Sequence, residues 1–153
     1  MTRMKQEPDE LDMQIIKLLR KNARLSLRKM AEKLNVATGT VQSRVMRLEK
    51  DGIIRRYCAQ IDSLKLGYNV SALIGARVKK TDMAGFMKKI TAHRNVIGAY
   101  DVAGEFDAFV VVRFKSINEL DEFIKAELGP PTVESTNSFI VLGTYKEGQT
   151  LFD

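Results

Sequence analysis

The spacing of apolar residues changes about one third of the way along this chain of 153 residues. Up to about residue 52, apolar side chains recur every three or four positions, which is the period of an amphipathic helix. Beyond that point, short apolar or alternating segments are interspersed with two helical ones. This change of period predicts an α+β chain with a helical domain followed by a mixed domain.

Three helices are predicted in the first part of the chain, over about residues 9–21, 26–34 and 38–51. Asp9 and Ser26 are suited to cap the first two, and Asp12 stands three positions after Asp9 as its acidic capping partner. Ala37 cannot cap the third helix with its side chain, which favours Thr38 as the cap. Two helices joined by a turn of three residues and preceded by another helix are typical of a helix-turn-helix unit.

The segment after Gly52, IIRRYCAQID (residues 53–62), alternates well enough for an extended strand or wing. Residues 64–68 include Gly67 and indicate a hinge. We therefore expect a winged helix-turn-helix domain over residues 1–62 and a second domain over residues 63–153.

The second domain is predicted to have the order βαββαβ. Strands are expected over about 70–79, 96–103, 108–115 and 133–145, with helices starting at Asp82 and at Ser116 or Asn118. This order is that of a ferredoxin-like four-stranded antiparallel sheet with both helices on one face. The other face must be covered, and a second copy of the chain is the simplest cover, so we expect a homodimer.

Positive charge is confined to the first domain. Residues 1–62 contain 14 Lys and Arg against 8 Asp and Glu, whereas residues 63–153 contain 11 of each. A basic domain joined to a neutral one indicates that only the first meets a polyanion. The alternative is a basic surface that is solvated and has no partner.

The third helix has the face that best suits such a partner. Val41, Val45 and Leu48 form its buried side, and the opposite side is small, polar or basic, with no acid before Glu49. Such side chains can contact base edges and phosphates in a major groove; a solvated helix face is the alternative. The predicted contacts to double-stranded DNA are Arg28, Lys29, Thr38, Gly39, Thr40, Gln42, Ser43, Arg44, Met46, Arg47, Arg55 and Arg56.

The first domain resembles the DNA-binding module of the Lrp/AsnC (feast/famine) transcription regulators. The matching residues are Asp9, Asp12, Ile15, Arg24, Ser26, Ala31, Leu34, Thr40, Val41, Arg44, Val45, Leu48, Glu49, Gly52 and Ile54. The chain departs from the family pattern at Pro8, where the family has Leu, and at Ala37, where it has a capping Ser. The βαββαβ segment resembles the family's ligand-responsive domain, with Gly104 and Asp107 in a strand-to-strand turn.

The resemblance implies a transcription regulator modulated by a small-molecule effector, in the form of a dimer that can assemble into an octamer. A free amino acid needs an anionic group for its ammonium and N–H donors for its carboxylate, and the AGEFD turn offers both. The alternative is that Asp107 only closes the turn by a local hydrogen bond. The predicted effector-binding residues are Ala103, Gly104, Glu105 and Asp107 in this turn, with Thr136 and Ser138 of the last strand as polar neighbours if two subunits bring these edges together.

Enzymatic activity and bound cofactors are not expected. Asp101, Glu105 and Asp107 form an acidic cluster, but no nucleophile or phosphate-binding loop accompanies them. Cys58 has neither Cys nor His near it in sequence, so no metal site is predicted. No apolar run is long enough to span a membrane, and the first ten residues do not resemble a secretory signal, so we expect a cytoplasmic protein.

RNA binding is the alternative function, because the RNA-recognition motif shares the βαββαβ order. That motif stacks bases on aromatic side chains from two central strands. The first strand here, NVSALIGARV, contains no aromatic residue, and this half of the chain is neutral. These features favour DNA binding through the first domain.

Overall fold

The computed structural model describes residues 7–147 and divides the chain into a helical unit that ends at Ile61 and a sheet unit, Asp62–Glu147. None of the described helices is both long and apolar enough to cross a membrane. The elements are α1 (Glu10–Lys21), α2 (Leu27–Leu34), α3 (Thr38–Lys50), β1 (Val70–Val78), α4 (Met83–Thr91), β2 (Val96–Asp101), β3 (Ala108–Phe114), α5 (Ile117–Glu127) and β4 (Val133–Ile140).

Local hydrogen bonds determine where the first two helices begin. The Asp9 carboxylate accepts the N–H of Asp12, and the Asp12 carboxylate accepts the N–H of Asp9, both at 3.0 Å. This reciprocal pair satisfies two N–H groups at the start of α1, as the predicted capping box requires. Ser26 accepts the N–H of Lys29 at 3.3 Å and caps α2. Asn35 ends α2 in the left-handed conformation, with φ of 53°.

The prediction that Thr38 caps α3 is wrong. Ala37 is the N-cap residue and Thr38 is already helical. The Ala37 carbonyl accepts the N–H groups of Thr40 and Val41, but no side chain caps this end. The three helices are held by a shared core of Ile15, Met30, Ala31, Val41, Val45 and Leu48, so α3 begins where packing places it without a capping side chain.

The strand predicted over residues 53–62 does not form within the single chain. This segment has neither helix nor strand structure. A strand must share hydrogen bonds with a second strand, and the described part of the helical unit offers none. Tyr57 nevertheless holds the segment to the end of α3, because its hydroxyl donates to Glu49 Oε1 at 2.7 Å. Burial, together with this contact to a carboxylate, raises the pKa of Tyr57 to about 12.

The sheet unit has the predicted ferredoxin-like topology, with antiparallel strands in the order β2-β3-β1-β4. Alternate residues of β1 and β3 are buried beneath α4 and α5, as a sheet with one covered face requires. The side chains that form this core are Ala72, Ile74, Ala76, Val78, Phe86, Ile90, Ala108, Val110, Val112, Phe114, Leu120, Phe123, Leu128 and Val133.

Two strands are shorter than predicted. The last strand ends at Ile140 rather than Tyr145. Its partner β1 starts at Val70, so the hydrogen bond from Val141 N–H to Ser71 O is the last that β1 can supply. The second ends at Asp101 rather than Ala103, because Val102 N–H already bonds to Asp107 O across the turn. Ser116, not Asn118, caps α5.

The other sheet face is not covered by a helix. We call it the open sheet face; its apolar part consists of Leu73, Gly75, Tyr100, Phe109, Val111 and Phe139, and Ser71, Arg77, Arg113 and Asn137 share the face. Gly75 is required there, since a Cβ at this position would lie 2.7 Å from the Phe106 ring. That ring also meets the Phe109 ring edge-on, with centroids 5.5 Å apart. An uncovered apolar surface remains, as predicted from the βαββαβ order.

Candidate functional site

One side of α3 carries the exposed candidate residues of the helical unit. Gly39, Gln42, Ser43 and Met46 are exposed on the side opposite the buried Val41, Val45 and Leu48; we call these four residues the outer ridge. The Ser43 hydroxyl donates to the Thr40 carbonyl at 2.9 Å. No atom lies within 4 Å of where a Cβ on Gly39 would stand, so the fold itself does not require a glycine there. The ridge is therefore accessible and has no acidic residue.

The two arginines of α3 do not share this outward orientation. Arg44 Nη1 pairs with Asp9 Oδ2 and lies 3.3 Å from Asp12 Oδ1, while Arg47 Nη2 pairs with Asp12 Oδ2. These four residues form what we call the Asp–Arg cluster. Only 28% of the Arg44 side chain and 27% of the Arg47 side chain are exposed. We predicted that both arginines face outward beside the ridge. That prediction is wrong, because the carboxylates of Asp9 and Asp12 attract the two guanidinium groups toward α1.

The electrostatics of the cluster follow from how its acids are placed. Asp12 is completely buried, and its carboxylate is satisfied by the Asp9 N–H and by both guanidinium groups. The N–H of Asp12, and then the guanidinium of Arg44, lower the pKa of Asp9 from 3.8 to about 2. The bond to Asp9 in turn raises the pKa of Arg44. The cluster joins α1 to α3 by charge as well as by packing.

Sequence inspection missed this cluster, although a signal was present. Asp9 and Asp12 are three residues apart, and so are Arg44 and Arg47. Side chains at that spacing lie on one face of a helix. Two carboxylates at the start of α1 can therefore form ion pairs with two guanidinium groups on α3. The periodicity of apolar residues identifies the buried side of each helix. It does not show that these charged residues of α1 and α3 lie next to each other.

The remaining predicted DNA-contacting residues are solvent-facing. Arg28, Lys29, Arg55 and Arg56 are all exposed, and so is Thr38 at the first position of α3. Arg28 forms an ion pair of 3.5 Å with Glu32 on the same exposed face of α2. An exposed pair of this kind is weak, so it leaves the guanidinium able to exchange partners. Thr40 is half-buried.

In the sheet unit, the turn over residues 102–107 holds Asp107 firmly. Asp107 Oδ2 accepts the N–H of Val78 at 3.0 Å, and the Asp107 N–H donates to Ala76 O. The Asp107 side chain therefore does not make the local turn-closing hydrogen bond weighed from the sequence, since it bonds to β1; the backbone closes the turn, where Val102 N–H donates to Asp107 O. Glu105 forms an exposed ion pair of 3.8 Å with Arg77. Ala103, Gly104 and Glu105 are exposed, and Gly104 has open space beside it.

The two predicted effector residues of β4, expected next to the turn only across a subunit contact, lie on the far side of β1 from it. Ala76 is paired on one side with Ala108, next to the turn, and on the other side with Thr136. One full strand thus separates Asp107 from Thr136 and Ser138, which amounts to about 10 Å. Within a single protomer these residues do not form one pocket. A cleft of about 390 Å³ lies away from them, between the start of α4 and the Gly129–Thr132 loop.

The open sheet face does not have the aromatic arrangement of an RNA-recognition motif. The central strands are β3 and β1, and their side chains on this face include only one aromatic, Phe109. The ring of Phe106 packs over Gly75 and against Phe109. Base stacking on two central strands is therefore not supported.

Family models match both parts of the chain. Residues 8–55 match a winged helix-turn-helix DNA-binding model, and residues 71–151 match the Lrp/AsnC ligand binding domain. Among similar proteins, an uncharacterized HTH-type transcriptional regulator of Pyrococcus furiosus is 37% identical, over 92% of this chain and 95% of its own length. The HTH-type transcriptional regulator Ptr1 of Methanocaldococcus jannaschii is 31% identical over 94% of this chain and 97% of its own.

Solved structures agree with this match. AsnC of Escherichia coli has a TM-score of 0.87 at 26% identity, covering 95% of this chain and 99% of its own. LrpC of Bacillus subtilis has a TM-score of 0.85 at 29% identity, covering 94% and 100%. A Neisseria meningitidis regulator, solved as an L-Met complex, shares the fold at 23% identity and a TM-score of 0.87, covering 94% and 95%. The chain therefore belongs to the Lrp/AsnC family: it is a DNA-binding transcription regulator with a ligand-binding domain, and not an enzyme.

Proposed function

We propose that this regulator recognises specific duplex sequences by placing the outer ridge of α3 in the major groove. The observation that supports this most directly is that the ridge is exposed and free of acidic residues while the opposite side of α3 forms the core. Gln and Ser side chains on such a ridge can reach base edges. The exposed Arg28, Lys29, Arg55 and Arg56 supply contacts to phosphates. We expect this protein in the cytoplasm, where it meets DNA.

Gel shifts with a duplex selected from a random pool test the proposal. Affinity should fall steeply as salt rises, because neutralised phosphates release counterions. Arg28→Ala should lower the affinity for every duplex sequence by a similar factor, as expected for a phosphate contact. Arg94→Ala is the matched control, since Arg94 is an exposed arginine of the neutral sheet unit. Absence of duplex binding at low salt would contradict the proposal.

We further propose that the protein acts as a homodimer joined through the open sheet face. Leu73, Tyr100 and Phe139 are 40%, 57% and 48% exposed there, although large apolar side chains of a soluble unit are mostly buried. A symmetric partner would bury them on both copies. Two α3 helices related by a two-fold axis would contact half-sites about one helical turn, or a multiple of it, apart. Assembly of dimers into an octamer is the extension that the family resemblance suggests.

For the effector, we propose a free amino acid or related metabolite at the turn over residues 102–107. The support is chemical: a carboxylate at Asp107 and uncovered backbone at Gly104 match an ammonium and a carboxylate. The Neisseria meningitidis regulator of the same fold was solved with L-methionine, which makes that amino acid a sensible first probe. Since one strand separates the turn from Thr136 and Ser138, a complete site would need a second protomer.

Calorimetry with the twenty amino acids, methionine first, tests this assignment. Asp107→Asn should abolish binding because the charge is lost, while the amide oxygen can still accept the Val78 N–H and preserve the turn. DNA binding without effector should not change. Glu134→Gln removes an exposed carboxylate from β4 and serves as the control. Equal ligand affinity in wild type and Asp107→Asn would reject this location.

A further inference from the structure

The outer ridge and the Asp–Arg cluster divide the polar residues of α3 into two groups. Arg44 and Arg47 are engaged with α1 carboxylates, and Asp12 between them is fully buried. An arginine that contacts guanine must present two N–H groups to O6 and N7. Moving either guanidinium into a groove would take away a charged partner from a buried carboxylate, which is strongly unfavourable. The arginines are therefore poorly placed to contact bases.

Gln42 and Met46 are in the opposite situation. Gln42 is exposed, and within residues 7–147 its amide makes no hydrogen bond. Met46 is 60% exposed and belongs to neither hydrophobic core. The two residues are four positions apart, so they are neighbours on one helix face. Their separation along the helix is about 6 Å, which corresponds to about two base-pair steps.

We infer that Gln42 and Met46 are the residues that determine base specificity, and that Arg44 and Arg47 only position α3. This inference rests on the proposal that the outer ridge enters the major groove. A glutamine amide has one donor and one acceptor side, which match N7 and N6 of adenine. Met46 presents a polarizable apolar group, and the apolar group exposed in the major groove is the thymine methyl. The half-site therefore contains an adenine and a thymine within about two base pairs.

The experiment uses the full chain and chemically modified duplexes. A preferred duplex is first enriched from a random pool, and each thymine is then replaced by uracil, which removes only the methyl group. One replacement per half-site should weaken wild-type binding by about fourfold, the expected effect of losing one buried methyl contact. The Met46→Ala protein should bind the two duplexes equally well.

The same duplex with 7-deazaadenine tests Gln42, because this base lacks the N7 acceptor. Substitution at one adenine should lower the affinity of the wild-type protein about tenfold, because part of a bidentate contact is lost. The affinity of Gln42→Ala should not change with substitution at that adenine. Gln14→Ala in α1 and Ile117→Ala in α5 are matched controls, since both residues are exposed on helices outside α3. Both controls should keep the wild-type response. Circular dichroism would confirm that every variant is folded.

The outcomes separate this inference from the proposal beneath it. If Met46→Ala and Gln42→Ala respond to the modified bases as wild type does, the assignment of these two residues is wrong. A loss of affinity with 7-deazaguanine that disappears in Arg47→Ala would show that an arginine contacts guanine, and would also overturn it. A pool from which no duplex is enriched would contradict sequence-specific binding itself.

Discussion

Asp9 shows how one side chain can serve both local and tertiary structure. Its carboxylate accepts the N–H of Asp12, which starts α1, and also pairs with Arg44 of α3. The first contact joins residues three apart and is visible in the sequence as a capping pattern. The second joins residues 35 apart and depends on how α3 packs on α1. The lowered pKa of Asp9 reflects both.

Stability should depend on pH through Asp9. Its pKa in the fold, about 2, is below the ordinary value of 3.8. The charged carboxylate therefore stabilises the fold above about pH 4, and this contribution is lost as pH falls through 2. We expect calorimetric melting of wild type and Asp9→Asn to differ at pH 6 and to converge near pH 2, since asparagine retains the cap. A difference that stays constant over this range would contradict the assignment.

Gly39 lowers the stability of α3, because glycine has a low helix propensity, and the fold does not require a glycine at this position. Replacing it with alanine should stabilise α3 by at most about 0.5 kcal/mol, the low end of the value for helix interiors, because Gly39 lies in the first turn and a Cβ there meets nothing within 4 Å. If DNA approaches the ridge closely, the same methyl group should weaken duplex binding. Urea unfolding and gel shifts measure the two effects. Greater stability with unchanged DNA affinity would show that no close approach occurs at this position.

Among the elements, α3 is oriented by its contacts with the other helices of its unit. Its start has no capping side chain, and its buried stripe of Val41, Val45 and Leu48 packs in the shared core. The Asp–Arg cluster adds directional contacts at one side of the helix. Charged hydrogen bonds have a narrower geometry than apolar packing, so they restrict which side chains face outward.

Arg47→Ala tests this role of the cluster. It should destabilise the helical unit by about 1.5–3 kcal/mol, the usual range for losing a hydrogen bond to a charged group. Affinity for the preferred duplex should fall, with the loss spread over all base pairs of the half-site, because the whole helix is less well positioned. Urea unfolding and competition gel shifts provide the measurements. A selective loss for one base pair, without loss of stability, would instead indicate direct base contact. Lys50→Ala, at an exposed position of α3, is the control.

At the scale of the whole molecule, the chain separates two tasks. The excess positive charge belongs to residues 1–62, whereas the sheet unit is neutral and has an uncovered apolar face. Positive charge attracts DNA but would oppose close association of two identical surfaces. A neutral apolar face suits association with a second copy. Because the two surfaces belong to separate units, one can be basic and suited to DNA while the other is apolar and suited to a second copy of the chain.

Dimerisation should be sensitive to charge on the open sheet face. Leu73→Lys places an ammonium group where a partner would pack, so sedimentation should show a shift from dimer toward monomer. Burying two unpaired charges across a two-fold axis is strongly unfavourable. Ile117→Lys is the matched control, because Ile117 is 55% exposed but lies on α5, away from this face. Wild type that sediments as a monomer, or Leu73→Lys that remains a dimer, would reject this interface.

Periodicity, capping residues and turn chemistry are local properties, and the sequence by itself determined the order of helices and strands through them. They also located the outer ridge, because the buried stripe of α3 defines its opposite side. Only the tertiary structure decided that Arg44 and Arg47 turn toward Asp9 and Asp12, that residues 53–62 find no strand partner, and that the Asp107 carboxylate bonds to Val78 of β1. Each depends on which segments become neighbours across more than twenty residues, and spacing along the chain does not specify that.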